Sequence, residues 1–181
     1  MSALPPIPAV AAGDIDGVVS RIENIVLWAS DAAAPDRLGY FAALYLRITR
    51  GIRKAVVDGR FDDGERMKRF DVTFASRYFE ALNGYFHPGD FPAPSLSWKL
   101  AFDAAALDAP IVVQHMLLGV NAHIDLDLGI AAWDVMRPGP LDPLQRDFDM
   151  VNTVLGEQVK TVLSEIGEIS QARRLCEKLL S

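Results

Sequence analysis

The stretch at residues 111–135, IVVQHMLLGVNAHIDLDLGIAAWDV, constrains the fold of this chain more than any other. It is apolar around the whole helical circumference, and such a helix belongs at the centre of a core. Yet it carries His115, Asn121, His123, Asp125 and Asp127. Polar side chains there cost stability unless they are paired, and ionised ones cost far more. Two imidazoles, an amide and two carboxylates in the most apolar helix mark it as the expected site, without naming a reaction.

The remaining chain also reads as helical, with no hairpin signal and no run of alternating β-branched residues. Apolar periodicity predicts a first helix from Asp14 to about Ser30 and a second with Pro35 in its first turn and Gly59 at its close. Asp62 or Asp63 is expected to cap a third helix reaching about Phe86. The proline-rich segment 87–95 is a loop in which His87 should be exposed. Ser95 or Ser97 then caps a short fourth helix through Leu107. Pro110 opens the central helix, and the Pro/Gly segment 137–143 ends it. Asp142 is expected to cap the next helix, and Gly167 to break the chain before a last amphipathic one. The expectation is an all-α, single-domain bundle of about seven helices at residues 13–181. The central helix, about 110–135, is buried, and an extended lead-in occupies 1–12.

A length of 181 residues suits one domain, and a 50% hydrophobic content supplies a core and argues against disorder. The net charge of −6 disfavours nucleic acid as a partner. Cys176 is the single cysteine, which leaves no intramolecular disulfide and no CxxC zinc site. The N-terminus lacks the basic and long apolar regions of a signal peptide. No segment approaches roughly 18 uninterrupted apolar residues, so no membrane span is expected and a cytoplasmic protein is the simplest reading. Nucleophile-elbow, P-loop, dinucleotide and HExxH motifs are absent.

Unrolled at about 100° per residue, His123 and Asp127 share one face of the central helix, one turn apart. Asn121 and Asp125 share a nearly opposite face. His115 lies about 12 Å lower along the axis than His123, too far for both to bind one ion through this helix alone. The pair has two chemical readings. A carboxylate that accepts one ring N–H fixes the tautomer and raises the basicity of the other nitrogen, which makes a general base. Alternatively, both side chains ligate a divalent metal, with further ligands from other helices. A tightly bound metal is disfavoured, because one pair alone stands at ligand spacing. A third, structural reading is a hydrogen-bonded pair that joins helices. Asp71 falls in the middle of the apolar face of the third helix, where an ionisable group needs a partner, and is expected to face the site. Tyr78 and Trp98 are expected in the core or the pocket wall. Asn121 is a candidate for binding a substrate amide or carbonyl or for bridging two helix backbones, and Asp125 is expected to pair with an arginine such as Arg47 or to be exposed. Gly119 points to a close helix contact or to room for a ligand.

The run from His115 to Leu128 resembles DUF5995, a family of uncharacterised bacterial helical proteins, whose pattern is H-x-x-x-G-x-N-A-H-I-x-x-D-L. His115, Gly119, Asn121, Ala122, His123, Ile124, Asp127 and Leu128 match it, Trp98 also looks like a family position, and Asp125 lies outside it. The resemblance implies that His115, Asn121, His123 and Asp127 act as one unit, and it implies no activity.

The functional expectation is a small-molecule enzyme, hydrolase- or lyase-like. His123 is its general base or metal ligand and Asp127 the orienter or co-ligand. His115 and Asn121 are second-base or substrate-binding groups, and Asp71, Tyr78 and Trp98 complete the site. The rival is a non-catalytic ligand-binding or assembly protein whose polar core fixes helix register, and a third reading is a metal- or haem-binding helical protein without turnover. A small molecule is the expected partner, a homodimer is also allowed, and the sequence names no cofactor.

Overall fold

The structure, a computed structural model, describes residues 4–30 and 37–180, with backbone alone at 163 and from 165 onward. Its helices are α1 (Ile15–Ser30), α2 (Leu38–Val57), α3 (Gly64–Phe86), α4 (Leu96–Ala105), α5 (Val112–Asn121), α6 (Leu128–Met136) and α7 (Gln145–Leu180). A π-helical segment, Ala122–Asp127, joins α5 to α6, and a 3-10 turn, Asp142–Leu144, leads into α7. Among the described residues there is no strand, only an isolated bridge between Pro88 and Phe91. No described helix is long and apolar enough to cross a membrane.

Local chemistry explains most of the boundaries. The Asp63 carboxylate accepts from the Arg66 N–H at 2.9 Å and caps α3, while the Ser95 hydroxyl accepts from the Trp98 N–H and caps α4. Gly59, at φ +67°, ends the chain's run beyond α2 in the left-handed conformation that a glycine adopts without strain. The Asp142 side chain makes no capping bond; the start of α7 is held instead by Asp147. That carboxylate is buried, accepts from the Asp62 N–H at 2.8 Å and pairs with Arg66, so it ties α7 to the start of α3. Pro35 lies outside the described residues. The expected break at Gly167 does not occur, since the α7 backbone runs through it as one helix. One helical glycine costs only about 1 kcal/mol, too little to stop a long helix.

α2 packs against α1, α3, α5 and α7, and α3 against α1, α2, α4, α6 and the π segment. Two apolar clusters result. One gathers Ile22, Phe41, Tyr45, Tyr78 and Trp98; the other gathers Ile52, Met67, Phe70, Phe74, Leu144 and Val154. The central helix lies between these elements but is not buried all round. Leu117, Asn121, Asp125 and Gly129 form an exposed stripe along it.

Residues 4–11 of the lead-in form neither helix nor strand, and the segment is docked against the bundle. Leu4 is buried. The Asn83 side chain accepts from the Ile7 N–H at 2.8 Å and donates to the Ile7 carbonyl at 3.0 Å, as a neighbouring strand would. Arg21 donates to the carbonyls of Pro8 and Ala9. His87 is half-buried rather than exposed, because its Nε2 lies 2.7 Å from the Leu4 carbonyl.

Candidate functional site

The π segment places the site. The Leu128 N–H reaches back five residues to the His123 carbonyl, so this turn holds one residue more than an α-turn. The wider turn brings side chains four apart closer to eclipsed, and His123 and Asp127 meet there. His123 Nδ1 lies 3.3 Å from Asp127 Oδ2, with both side chains almost wholly buried. Asp127 is saturated by two further donors. The Trp98 indole N–H donates to Oδ2 at 2.7 Å, and Arg77 Nε donates to Oδ1 at 2.8 Å. Burial pushes the Asp127 carboxyl up, but the hydrogen bonds from His123, Trp98 and Arg77 outweigh it and hold the group below the usual carboxylate value. An ionised carboxylate only accepts, so Nδ1 of His123 carries the proton. Nε2 is left as a bare acceptor, buried and without a hydrogen-bond partner.

The imidazole is packed among aromatic rings. It stacks on Phe74, meets Tyr45 edge-on at 4.7 Å, and lies 5.7 Å from Trp98 and 6.2 Å from Tyr78. Burial pushes its pKa down, and the hydrogen bond and charge of Asp127 recover only part of that, so the ring is neutral at pH 7.

His123 stands between two spaces. Asp127, Arg77 and Trp98 line an open cleft of about 560 Å³, whose other walls are the lead-in at Ile7 and the proline-rich loop. On the opposite side is an apolar cavity of about 230 Å³ between the two core clusters, lined by His123, Phe41, Tyr45, Asp71, Phe74 and Leu155 among others. The exposed Asn152 of α7 lies on its rim. Asp71 therefore does face the same space as His123. Its Oδ2 has no hydrogen-bond partner, and burial pushes its carboxyl up to about 7. Tyr45 and Thr49, one turn apart on α2, are buried with no hydrogen bond of good geometry, although Thr49 is near enough to oppose the rise of the Tyr45 pKa. Burial and the charge of Asp71 nevertheless drive that pKa well above its ordinary value.

The other expected members do not all meet at this site. Trp98 and Tyr78 form wall around His123, and Trp98 also anchors Asp127. Asn121 is exposed rather than buried, because it belongs to the solvent stripe opposite His123. Asp125 shares that stripe. His115 is buried with both ring nitrogens unpaired, but it adjoins a separate gap of about 10 Å³ with Phe41 and Gly119. That gap is at the limit for even one water. Gly119 makes a close contact, since a methyl group there would overlap the Phe41 ring. No group of three or more His, Cys, Asp or Glu that could hold a metal occurs among the described residues, so Asp71 does not complete a ligand set with His123 and Asp127.

Sequence reasoning missed Arg77, Thr49 and the stacking of Phe74. Thr49 left a signal, a hydroxyl one turn after Tyr45; Arg77 left none, since it reads as an ordinary surface cation.

Fold and site together define an all-helical protein with a buried Asp–His pair beside an apolar cavity. The chain belongs to DUF5995, a family of unknown function whose model matches residues 15–181. The match begins with α1 and leaves the docked lead-in outside. No curated protein and no solved structure matches the chain.

Proposed function

We propose that the protein is a small-molecule enzyme, hydrolase- or lyase-like, in which His123 acts as general base from Nε2 and Asp127 holds its tautomer and orientation. One observation carries this reading: His123, whose buried Nε2 has no hydrogen-bond partner, lines an apolar cavity together with Asp71 and Tyr45, each of which also holds a buried polar atom without a partner. Buried polar groups in folded proteins are normally paired. A purely structural role would explain Asp127, whose partners tie α3 and α4 to the π segment, but leaves those three groups without a reason. In the proposed site the cavity takes the apolar body of the substrate. Asp71, protonated in part at neutral pH, and Tyr45 contact its polar end. His123, neutral and shielded, removes a proton or activates a water.

Small activated esters and β-hydroxy compounds, incubated with the wild type and His123→Gln, test the proposal. General-base catalysis contributes about 10²–10⁴-fold, so turnover in the wild type should fall by at least that lower factor in the variant. Equal turnover in both proteins overturns the assignment to His123. Saturable binding without turnover of any probe would favour the rival, a non-catalytic ligand-binding protein.

A further inference from the structure

The cavity beneath α7 is unbalanced in charge. Its lining includes Asp71 and His123 and, among the described residues, no lysine or arginine. Each element packed around Asp71 can be checked for a counter-charge. From α2 come the Tyr45 hydroxyl and apolar side chains; from the π segment comes the neutral His123. Asp127 lies behind that ring, already matched by Arg77. α6 supplies Leu128, and α7 supplies apolar residues with Asn152 at the rim. Among the described residues, this carboxylate, buried at 5% exposure, thus meets no positive charge, which is costly for the protein alone.

The walls suit a cation. Phe70 and Phe74 flank Asp71 on α3, Tyr45 and Phe41 come from α2, and Phe148 comes from α7. Phe70 and Phe74 are stacked at 5.7 Å, and Tyr45 stands edge-on to Phe74. The negative faces of such rings attract an organic cation when water is excluded. An anion would meet a second carboxyl group and no counter-ion. A neutral ligand would leave Asp71 unmatched. Size sets the last condition: a cavity of about 150 Å³ holds benzene, so the 230 Å³ here admits one ring, or a chain of similar bulk, with a short arm.

We propose that this cavity binds a compact primary amine, its ammonium group paired with Asp71 against the rings of Phe70 and Tyr45, and its apolar body beside Ile48, Ile52 and Leu155. This rests on the cavity being the ligand site and names the class of ligand. His123 lines the same cavity. Only ionised Asp71 serves, and burial pushes that carboxyl up to about 7, so binding tightens as pH rises through neutrality. Burial holds the His123 pKa below its ordinary value, which favours the uncharged ring.

Calorimetric titration of the full chain with phenethylamine, 2-phenylethanol and phenylacetate tests the assignment. Phenethylamine should bind saturably, at least tenfold more tightly than the alcohol or the acid at pH 8. Its affinity should be about tenfold weaker at pH 6, following the ionised fraction of Asp71. Asp71→Asn should weaken it at least tenfold at pH 8 and abolish the pH dependence. If the alcohol binds as well as the amine, or if amine binding ignores both pH and Asp71→Asn, the amine assignment fails and the cavity remains a site for neutral ligands. If none of the three binds, the amine assignment fails together with the ligand-site reading. The pH series on the wild type decides the matter even if the variant does not fold.

Discussion

The imidazole of His123 lies flat on the ring of Phe74, with centroids 3.6 Å apart and planes 7° from parallel. Phe74 thereby supplies much of the apolar surface that keeps the imidazole uncharged. Phe74→Ala should cost about 3–5 kcal/mol in urea unfolding, as other buried phenylalanines do. Water admitted beside the ring should also raise the His123 pKa toward its ordinary value, because the dominant cause of its depression is burial. Histidine titration by NMR reads this directly. An unchanged pKa in a folded variant would show that Phe74 is not the shielding group.

Asp127 and His123 are unequal partners. Asp127→Ala strips the acceptor from the Trp98 indole and from Arg77, and should destabilise by about 3–5 kcal/mol, the usual consequence of breaking a buried pair. Because Arg77 is partly exposed, the lower end is expected. In His123→Leu the carboxylate keeps both of those donors and loses only a 3.3 Å contact, so the cost should stay within about 1.5 kcal/mol. Thermal melts that reversed this order would mean that the imidazole, not the carboxylate, holds the helices together.

The buried Asp71 makes stability depend on pH with a definite sign. Its carboxyl is raised from 3.8 in the unfolded chain to about 7 in the fold, so the folded state binds more protons between those values. The favourable contribution is full below pH 3.8 and is lost as pH rises through 7. The loss amounts to something on the order of 4 kcal/mol. Asp71→Asn should remove this dependence and be more stable than the wild type at pH 8. Urea unfolding at pH 5 and pH 8 would refute the prediction if the two proteins changed in parallel.

Gly119 touches Phe41, which in turn lines the cavity. Gly119→Ala improves helix propensity by about 1 kcal/mol but forces the Phe41 ring to move, an overpacking that typically costs about 1–3 kcal/mol. Net destabilisation is expected in thermal melts, and a stabilised variant would show that Phe41 yields freely.

Helix positions, the caps at Asp63 and Ser95 and the pairing of His123 with Asp127 were legible in the sequence, because each depends on short-range spacing. The face of Asn121 was partly legible. Its placement opposite His123 follows from periodicity, but its exposure does not, since the surface stripe at Leu117 is as apolar as the buried one. The π segment has no signature in residue type, so arguments from 100° per residue lose phase beyond it. The isolation of His115 could not be read because Phe41, from a distant helix, lines both its gap and the cavity. Gly167 misled because a helix stop needs more than one glycine when the following turns continue the helix.

The π segment also bears on how this helix tolerates changes of length. One residue more than an α-helix requires is stored at 122–127, so the two halves of the helix are held out of phase with each other. Deleting one of Ile124, Asp125 or Leu126 would restore a regular α-helix while leaving His123, Asp127 and all the side chains of α5 and α6 in the chain. It would also rotate α6 relative to α5, so that Asp127 could not sit under both Trp98 and His123. For this segment the count of residues matters as much as their identity, and a single-codon deletion is the most direct way to separate the helix from its site.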